Sequence, residues 1–203
     1  DGSGSMGYEG KFGYASRLAA GFAYLAVLEN EKYALSLFCK RFYPGEPKRG
    51  RVNLIRSVEE LDGVIPRGAT SLKAVADQLE AGLKSTSLVV LISDLLADTE
   101  DVLSCIYRLS GHELVVIQVL APAETELSFG GDIKFVDLES GQPLITRITE
   151  GERQEYLKKL EEHNGRIQEA CSRVGAEYFQ FRTDRPVFES FTEMLSRAVI
   201  QKA

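Results

Sequence analysis

The fold of this chain follows from seven consecutive residues, Leu88-Val89-Val90-Leu91-Ile92-Ser93-Asp94. Five apolar residues in a row predict a strand that is covered on both faces, which is typical of a central strand in a parallel sheet. Short apolar or aromatic runs recur at residues 114–119 and 178–181. Because helical periodicity separates these runs, the sequence predicts an α/β fold.

Around the strands, apolar residues recur at the spacing of one helical face. The pattern predicts helices over residues 12–29, 54–61, 72–83, 102–109 and 149–175, with a last helix after Pro186. Thr149 and Glu152 match a capping box, and Gly175 favours a helix end. We therefore expect one domain over residues 1–203, a doubly wound, mainly parallel sheet with helices on both faces, as in Rossmann-like folds.

Two segments depart from this alternation. Residues 33–42 are rich in aromatic and branched side chains, and Pro44-Gly45-Glu46-Pro47 follows them. They predict a strand that turns into an edge hairpin, with a short extended piece at residues 51–53. Residues 124–148 predict a small insertion whose hairpin has arms at residues 133–138 and 144–148.

Composition excludes several classes of protein. The 203 residues are 44% hydrophobic and 27% charged with a net charge of −6, so a clustered basic face for nucleic acid is not expected. The three cysteines are odd in number and widely spaced, which favours a reducing, cytoplasmic compartment. No apolar run is long enough to span a bilayer, so we expect no membrane contact from these residues, while an anchor upstream of Asp1 would be compatible with them.

Polar side chains follow the predicted strands at the point where each strand ends. In a parallel sheet these positions share one edge, where ligands bind. We expect two carboxylates and three hydroxyls to converge there, with the Thr70 loop folding over the edge. Hard oxygen ligands suit Mg²⁺, with Mn²⁺ as an alternative. The candidate metal ligands are Asp1, Ser3, Ser5, Thr70 and Asp94.

Simpler interpretations stand beside this one. Asp94 alone would be expected to cap the following helix, and Asp184 before Arg185-Pro186 is typical of an N-cap, although its place on the edge allows a ligand role. Arg67 lies close enough to Thr70 in sequence to help hold an anionic ligand. A Gly/Ser stretch such as residues 2–5 is also typical of an artificial linker ahead of a natural start.

Several motifs together resemble known families. Asp1-Gly2-Ser3-Gly4-Ser5, a later Thr70 and Asp94 after an apolar strand resemble the metal-ion-dependent adhesion site of von Willebrand factor A and integrin I domains. Across nearly the whole chain, the sequence is similar to the domain of unknown function fifty-eight family, a von Willebrand factor A-like group. The motifs that carry this wider resemblance are Asp1–Met6 with Lys11, Leu18-Ala19-Ala20, Leu91–Asp94, Pro122-Ala123-Glu124, Val136–Glu139 and Thr183–Pro186.

The resemblance implies a role for each ligand and for the partner. Ser3 and Ser5 would bind the metal directly, Thr70 directly or through water, and Asp1 and Asp94 mainly through water. A carboxylate of a protein partner would fill the open position on the metal. The family also implies partnership with a MoxR-type AAA+ ATPase in a chaperone or assembly role, and a first strand that would lie upstream of Asp1 or be replaced by another segment.

An enzyme is the alternative to this binding module. Asp1 or Asp94 could serve as the nucleophile of a Mg²⁺-dependent phosphoryl-transfer or hydrolytic reaction. The sequence lacks a D-x-D motif, a lysine placed for such chemistry and a Gly-rich phosphate loop, and a dinucleotide-binding G-x-G-x-x-G after a strand is also missing. We therefore expect a non-enzymatic, Mg²⁺-dependent interaction module.

Overall fold

The computed structural model describes residues 1–83, 85–127, 131–136 and 143–201. Its strands are β1 (Leu37–Phe38), β2 (Phe42–Tyr43), β3 (Leu88–Ser93), β4 (Glu113–Leu120), β5 (Gly131–Val136), β6 (Pro143–Ile148) and β7 (Glu177–Arg182). Its helices are α1 (Lys11–Leu28), α2 (Arg51–Asp62), α3 (Leu72–Gly82), α4 (Thr99–Leu109), α5 (Pro122–Glu126), α6 (Glu150–Val174) and α7 (Val187–Gln201). A 3-10 segment, Gly4–Gly10, leads into α1.

Three parallel strands form the central sheet, in the order β3-β4-β7. Ile117 of β4 lies in register with Ile92 of β3 on one side and with Phe179 of β7 on the other. The three strands predicted from the apolar runs are therefore present, and the mixed α/β fold with a parallel sheet is confirmed. In the described sheet, however, β4 is the central strand and β3 lies at one side, so the prediction of β3 as a central strand was wrong. Among the described strands, β3 pairs only with β4. β1 and β2 pair with each other and form a separate small sheet.

Helices cover both faces of the sheet. Because successive side chains of a strand point to opposite faces, the apolar strands present an apolar surface on each side. Leu91 and Val116 face a core that also contains side chains of α3, α4 and α6. Their neighbours Ile92 and Ile117 face a second core, formed with α1 and α7. The continuous apolar run of β3 thus fills two cores at once, as expected for a strand buried between two helical layers.

Helix ends agree with the local sequence signals. The Thr149 hydroxyl accepts a hydrogen bond from the Glu152 amide at 3.3 Å, and the Glu152 carboxylate accepts one from the Thr149 amide at 2.8 Å. Gly175 ends α6 with a φ of 70°, a left-handed conformation that favours glycine. The predicted capping box and helix end are therefore confirmed.

The predictions for residues 33–53 were partly wrong. The expected strand over residues 33–42 is reduced to the two-residue strands β1 and β2, with a single bridge between Tyr33 and Lys48. Residues 51–53 are not extended, because they form the first turn of α2. Without a neighbouring strand, three residues gain more hydrogen bonds by lengthening a helix than by remaining extended.

The segment over residues 124–148 contains both a helix and a strand pair. Glu124 lies in the short helix α5, which the sequence had not predicted as helical. β5 and β6 then pair antiparallel, with Phe135 opposite Leu144. Residues 137–142, which include the connection between the two predicted arms, lie outside the described residues.

Candidate functional site

The loop from Asp1 to Ser5 is packed into the protein. The Asp1 backbone nitrogen donates a hydrogen bond to the Ile92 carbonyl at 2.9 Å, so the loop lies against the carboxyl end of β3. Ser3 and Met6 are fully buried. Further backbone hydrogen bonds tie the loop to residues 38, 67 and 68. A flexible linker would not be buried in this way, so the linker interpretation was wrong.

Two hydroxyls and one backbone amide bind the Asp1 carboxylate. Ser93 Oγ donates to Asp1 Oδ2 at 2.5 Å, and Thr70 Oγ1 donates to the same oxygen at 3.4 Å. Asp1 Oδ1 accepts a hydrogen bond from the Ser3 amide at 2.9 Å, and Ser3 Oγ lies 3.1 Å from Ser5 Oγ. Four of the five predicted ligands, Asp1, Ser3, Ser5 and Thr70, are thus brought into one hydrogen-bonded cluster.

The oxygens of this cluster are of the type that Mg²⁺ prefers as ligands. Two ligands on one edge of an octahedron lie about 2.9 Å apart when the bonds to the ion are roughly 2.0–2.1 Å long. The Ser3–Ser5 hydroxyl separation of 3.1 Å is close to that edge length. The described part of the chain holds no group of three or more His, Cys, Asp or Glu side chains placed for a metal, so a site here would depend on hydroxyls.

Asp94 lies at the same end of β3, but other groups bind its carboxylate. Asp94 Oδ2 accepts a hydrogen bond from Lys11 Nζ at 2.8 Å, and Oδ1 accepts one from the Leu96 amide at 3.2 Å. Helix α4 is capped by Asp98, so the interpretation of Asp94 as its cap was wrong. Leu95, which follows Asp94, has a φ of 55°, a strained conformation for a branched side chain.

Lys11 joins Asp94 to a second carboxylate. Its ammonium donates to Glu124 Oε1 at 2.5 Å, and its side chain is 0% exposed. Glu124 Oε2 accepts the Ala121 amide at 2.8 Å. Burial raises the pKa of Glu124, although Lys11 and the Ala121 amide act in the opposite direction. Lys11 begins α1 and Glu124 lies in α5, so this charge cluster depends on the tertiary fold.

A buried polar network supports the Asp94 turn from behind. Gln118 Nε2 donates to the Asp94 carbonyl at 2.9 Å and to Asn164 Oδ1 at 3.0 Å. Tyr178 donates its hydroxyl to Gln118 Oε1 at 2.5 Å, and burial raises the pKa of this tyrosine. His163 Nε2 lies 2.8 Å from the carbonyl oxygen of the strained Leu95. Side chains of β4, α6 and β7 therefore hold the turn in place.

The two remaining sequence candidates lie outside the cluster. The exposed Arg67 lines a cavity of about 340 Å³, whose other lining residues include Gly2 and Phe38. Asp184 accepts hydrogen bonds from Arg182 at 3.1 and 2.6 Å, so its carboxylate is engaged by a neighbouring side chain. Arg67 thus lies beside the loop of Asp1 to Ser5, whereas Asp184 is part of a surface ion pair.

Sequence reasoning missed the partners of the predicted ligands. Lys11 belongs to the motifs that carry the family resemblance, but no function was predicted for it. No lysine was expected near a carboxylate of the site. Lys11 lies 2.8 Å from Asp94, so that part of the argument against an enzyme was wrong. Ser93 was expected at the ligand edge, in the turn that also carries Asp94, but no role was assigned to its hydroxyl. Its position directly before Asp94, at a strand end that faces the ligand edge, was the available signal.

Comparisons with known proteins give the family and the fold. Residues 1–166 match DUF58, which is described as a protein of unknown function. Uncharacterised proteins of Mycobacterium bovis and Mycobacterium tuberculosis are 29% identical over 121 residues, which cover 59% of this chain. The chain spans only 38% of the length of those relatives.

Two solved structures are similar in fold. The conserved hypothetical protein BatB from Bacteroides thetaiotaomicron aligns with a TM-score of 0.59 at 15% identity, covering 100% of this chain and 96% of that one. An aerotolerance-related membrane protein from Bacteroides fragilis aligns at 0.56 and 16% identity, covering 94% and 90%. Among the described helices of this chain, none is both long and apolar enough to cross a membrane.

Proposed function

Because the chain belongs to the DUF58 family, we propose that it is a Mg²⁺-dependent protein-interaction module that binds its partner through a metal-ion-dependent adhesion site. One observation carries the proposal: the hydroxyls of Ser3 and Ser5 lie 3.1 Å apart beside the Asp1 carboxylate at the carboxyl end of β3. Ligands of parallel α/β sheets typically bind at the carboxyl ends of the strands, where these oxygens lie.

In this proposal each residue of the cluster has a separate task. Ser3, Ser5 and Thr70 offer neutral oxygens to the ion, while Asp1 orients two of these residues through hydrogen bonds and supplies negative charge. Asp94 contributes charge from the neighbouring turn. The bound ion supplies an electrophilic centre that attracts a carboxylate of the partner. Mn²⁺ has similar ligand preferences and is expected to substitute for Mg²⁺.

The proposal includes a partner and a more specific fold, both supported by the family resemblance, and a cellular location. The partner is a MoxR-type AAA+ ATPase that offers a carboxylate, and the role is that of a chaperone or assembly factor. The fold is a von Willebrand factor A-like version of the three-layer α/β arrangement. The location is cytoplasmic, which the three widely spaced cysteines favour.

A hydrolytic or phosphoryl-transfer enzyme is the second candidate, because Lys11 lies next to Asp94. In its favour, a lysine can stabilise a charged intermediate on a nearby carboxylate. Against it, the Asp94 side chain is only 4% exposed and both its oxygens accept hydrogen bonds. Turnover of p-nitrophenyl phosphate that is lost in Asp94→Asn would favour the enzyme.

The interaction module is tested by capturing proteins from the native host with the immobilised chain, once in Mg²⁺ and once in EDTA. We expect an AAA+ ATPase to be retained in Mg²⁺ and released by EDTA, because the partner's carboxylate would need the ion. Ser5→Ala should lose the ATPase even in Mg²⁺. The matched control is Ser110→Ala, whose exposed hydroxyl lies at the opposite end of the sheet and donates to the Tyr107 carbonyl. Retention that is equal in Mg²⁺ and EDTA would contradict the proposal.

A further inference from the structure

Lys11 is a fully buried cation at the edge of the candidate metal site. Its ammonium lies 2.8 Å from Asp94 Oδ2 and 2.5 Å from Glu124 Oε1, and its side chain is 0% exposed. Removing a lysine from water is unfavourable, and a buried ion pair adds little stability compared with well-packed apolar residues. The position of this charge therefore points to a role in the site.

The three charged groups form a small, closely packed cluster. Two carboxylates and one ammonium leave a net charge of −1, and the second oxygen of each carboxylate accepts a backbone amide. The Glu124 side chain is 16% exposed and the Asp94 side chain 4%. Since water has little access to these groups, their charges act on their surroundings with little screening.

From this cluster we propose that Lys11 is a positioning residue that holds the Asp94 carboxylate and lowers the intrinsic affinity of the adhesion site for a divalent cation. The inference rests on the proposed function. Asp94 is one of the two carboxylates available to attract the ion, and the Lys11 ammonium offsets its charge from 2.8 Å away. The same ammonium repels a divalent cation bound nearby.

This arrangement links the ion to the partner. A carboxylate that reaches the site restores the negative charge that Lys11 offsets, so the ion is held more firmly when the carboxylate is bound. By thermodynamic linkage, the ion strengthens carboxylate binding by the same factor. The site therefore favours the metal and an acidic partner together over the metal alone.

The test is a titration with Mn²⁺, in which the electron paramagnetic resonance signal of the free ion reports binding. Lys11→Met removes the ammonium at similar side-chain length and is expected to bind Mn²⁺ about tenfold more tightly or better than the natural sequence. Glu124→Gln removes a negative charge but leaves Lys11 in place, and is expected to bind Mn²⁺ more weakly. A merely structural role for Lys11 would instead weaken binding in both variants.

The control and the other outcomes separate this inference from the proposed function. Glu126→Gln lies on the same short helix, but its carboxylate pairs with Arg182, so we expect Mn²⁺ affinity to change less than about twofold. Unchanged affinity in Lys11→Met, with binding abolished in Ser3→Ala, would overturn the role of Lys11 and leave the adhesion site intact. Absence of Mn²⁺ binding in both the natural sequence and folded Lys11→Met would overturn the adhesion site itself.

Circular dichroism establishes whether each variant is folded before it is titrated. If Lys11→Met does not fold, Lys11→Gln takes its place, because glutamine keeps a hydrogen-bond donor without the positive charge. Mn²⁺ affinity in Lys11→Gln that is equal to or below that of the natural sequence contradicts the inference. Sodium acetate in place of sodium chloride, at constant ionic strength, serves as a minimal carboxylate probe. Acetate should increase Mn²⁺ affinity more in the natural sequence than in Lys11→Met, and an equal effect in both would contradict the linkage.

Discussion

At the scale of single residues, Ser93 connects the two halves of the candidate site. Its hydroxyl donates to the Asp1 carboxylate at 2.5 Å and accepts the Leu95 amide at 3.1 Å. Ser93 is fully buried, and its removal would leave the buried Leu95 amide without this acceptor. One side chain thus fixes both the loop that carries Asp1 and the turn that carries Asp94.

Ser93→Ala should lower the free energy of unfolding by about 1–3 kcal/mol, because a partly buried carboxylate loses a donor and a buried amide loses an acceptor. Urea denaturation followed by circular dichroism measures the change. Ser110→Ala is the control, since its exposed hydroxyl should contribute less than about 0.5 kcal/mol. Equal stability of Ser93→Ala and the natural sequence would show that the hydroxyl does not connect the two segments.

The candidate ligands could be predicted from sequence, whereas their partners could not. Alternation of Asp1, Ser3 and Ser5 in a Gly-rich loop is a local pattern, and Thr70 and Asp94 follow from the edge that the strands share. The contact between Lys11 and Glu124 joins residues 113 positions apart, which no local pattern specifies. Charge alone did not identify it, because exposed lysines and glutamates are common in this chain.

At the scale of elements, local patterns were sufficient where an element is long or buried. β3 and α6 lie where the apolar run and the capping box predicted them. Residues 33–53 were predicted less well, because the short strands β1 and β2 depend on contacts with the Asp1 to Ser5 loop and on a tight turn. Propensity is a weak guide where tertiary contacts decide the conformation.

Gly45 is the residue of this region that tolerates no side chain. A Cβ at Gly45 would clash with the backbone carbonyl of Leu35, and the Gly45 amide donates to Ser36 Oγ at 3.0 Å. Gly45→Ala is therefore expected to lower the free energy of unfolding by about 1–3 kcal/mol. Denaturation in urea is the measurement.

The matched control is Gly165, an exposed glycine within α6 that has open space around its Cα. Gly165→Ala should raise the free energy of unfolding by about 0.5–1 kcal/mol, because alanine loses less backbone entropy in a helix than glycine does. Both substitutions replace glycine with alanine, so changes of opposite sign in the free energy of unfolding would establish that the Gly45 effect comes from the contact with Leu35. Stabilisation by both would contradict the close approach.

At the scale of the whole molecule, the sheet places the candidate site. Three parallel strands with helices on both faces bring the carboxyl ends of β3 and β4 together, and the segments that follow those strands carry Asp94 and Glu124. This arrangement was predictable because alternating strands and helices permit few topologies. The similar fold of two solved structures at 15% and 16% identity agrees with that architecture.

The central claim is that a divalent cation binds between the hydroxyls of Ser3 and Ser5, beside Asp1. The most direct test is a crystal soaked in Mn²⁺, because the anomalous scattering of this ion locates it without reference to its ligands. We expect one anomalous peak within about 2.2 Å of both hydroxyl oxygens, the distance of a direct metal–oxygen bond. A crystal with no anomalous peak near Ser3 and Ser5, or with Mn²⁺ bound only elsewhere, would contradict the account.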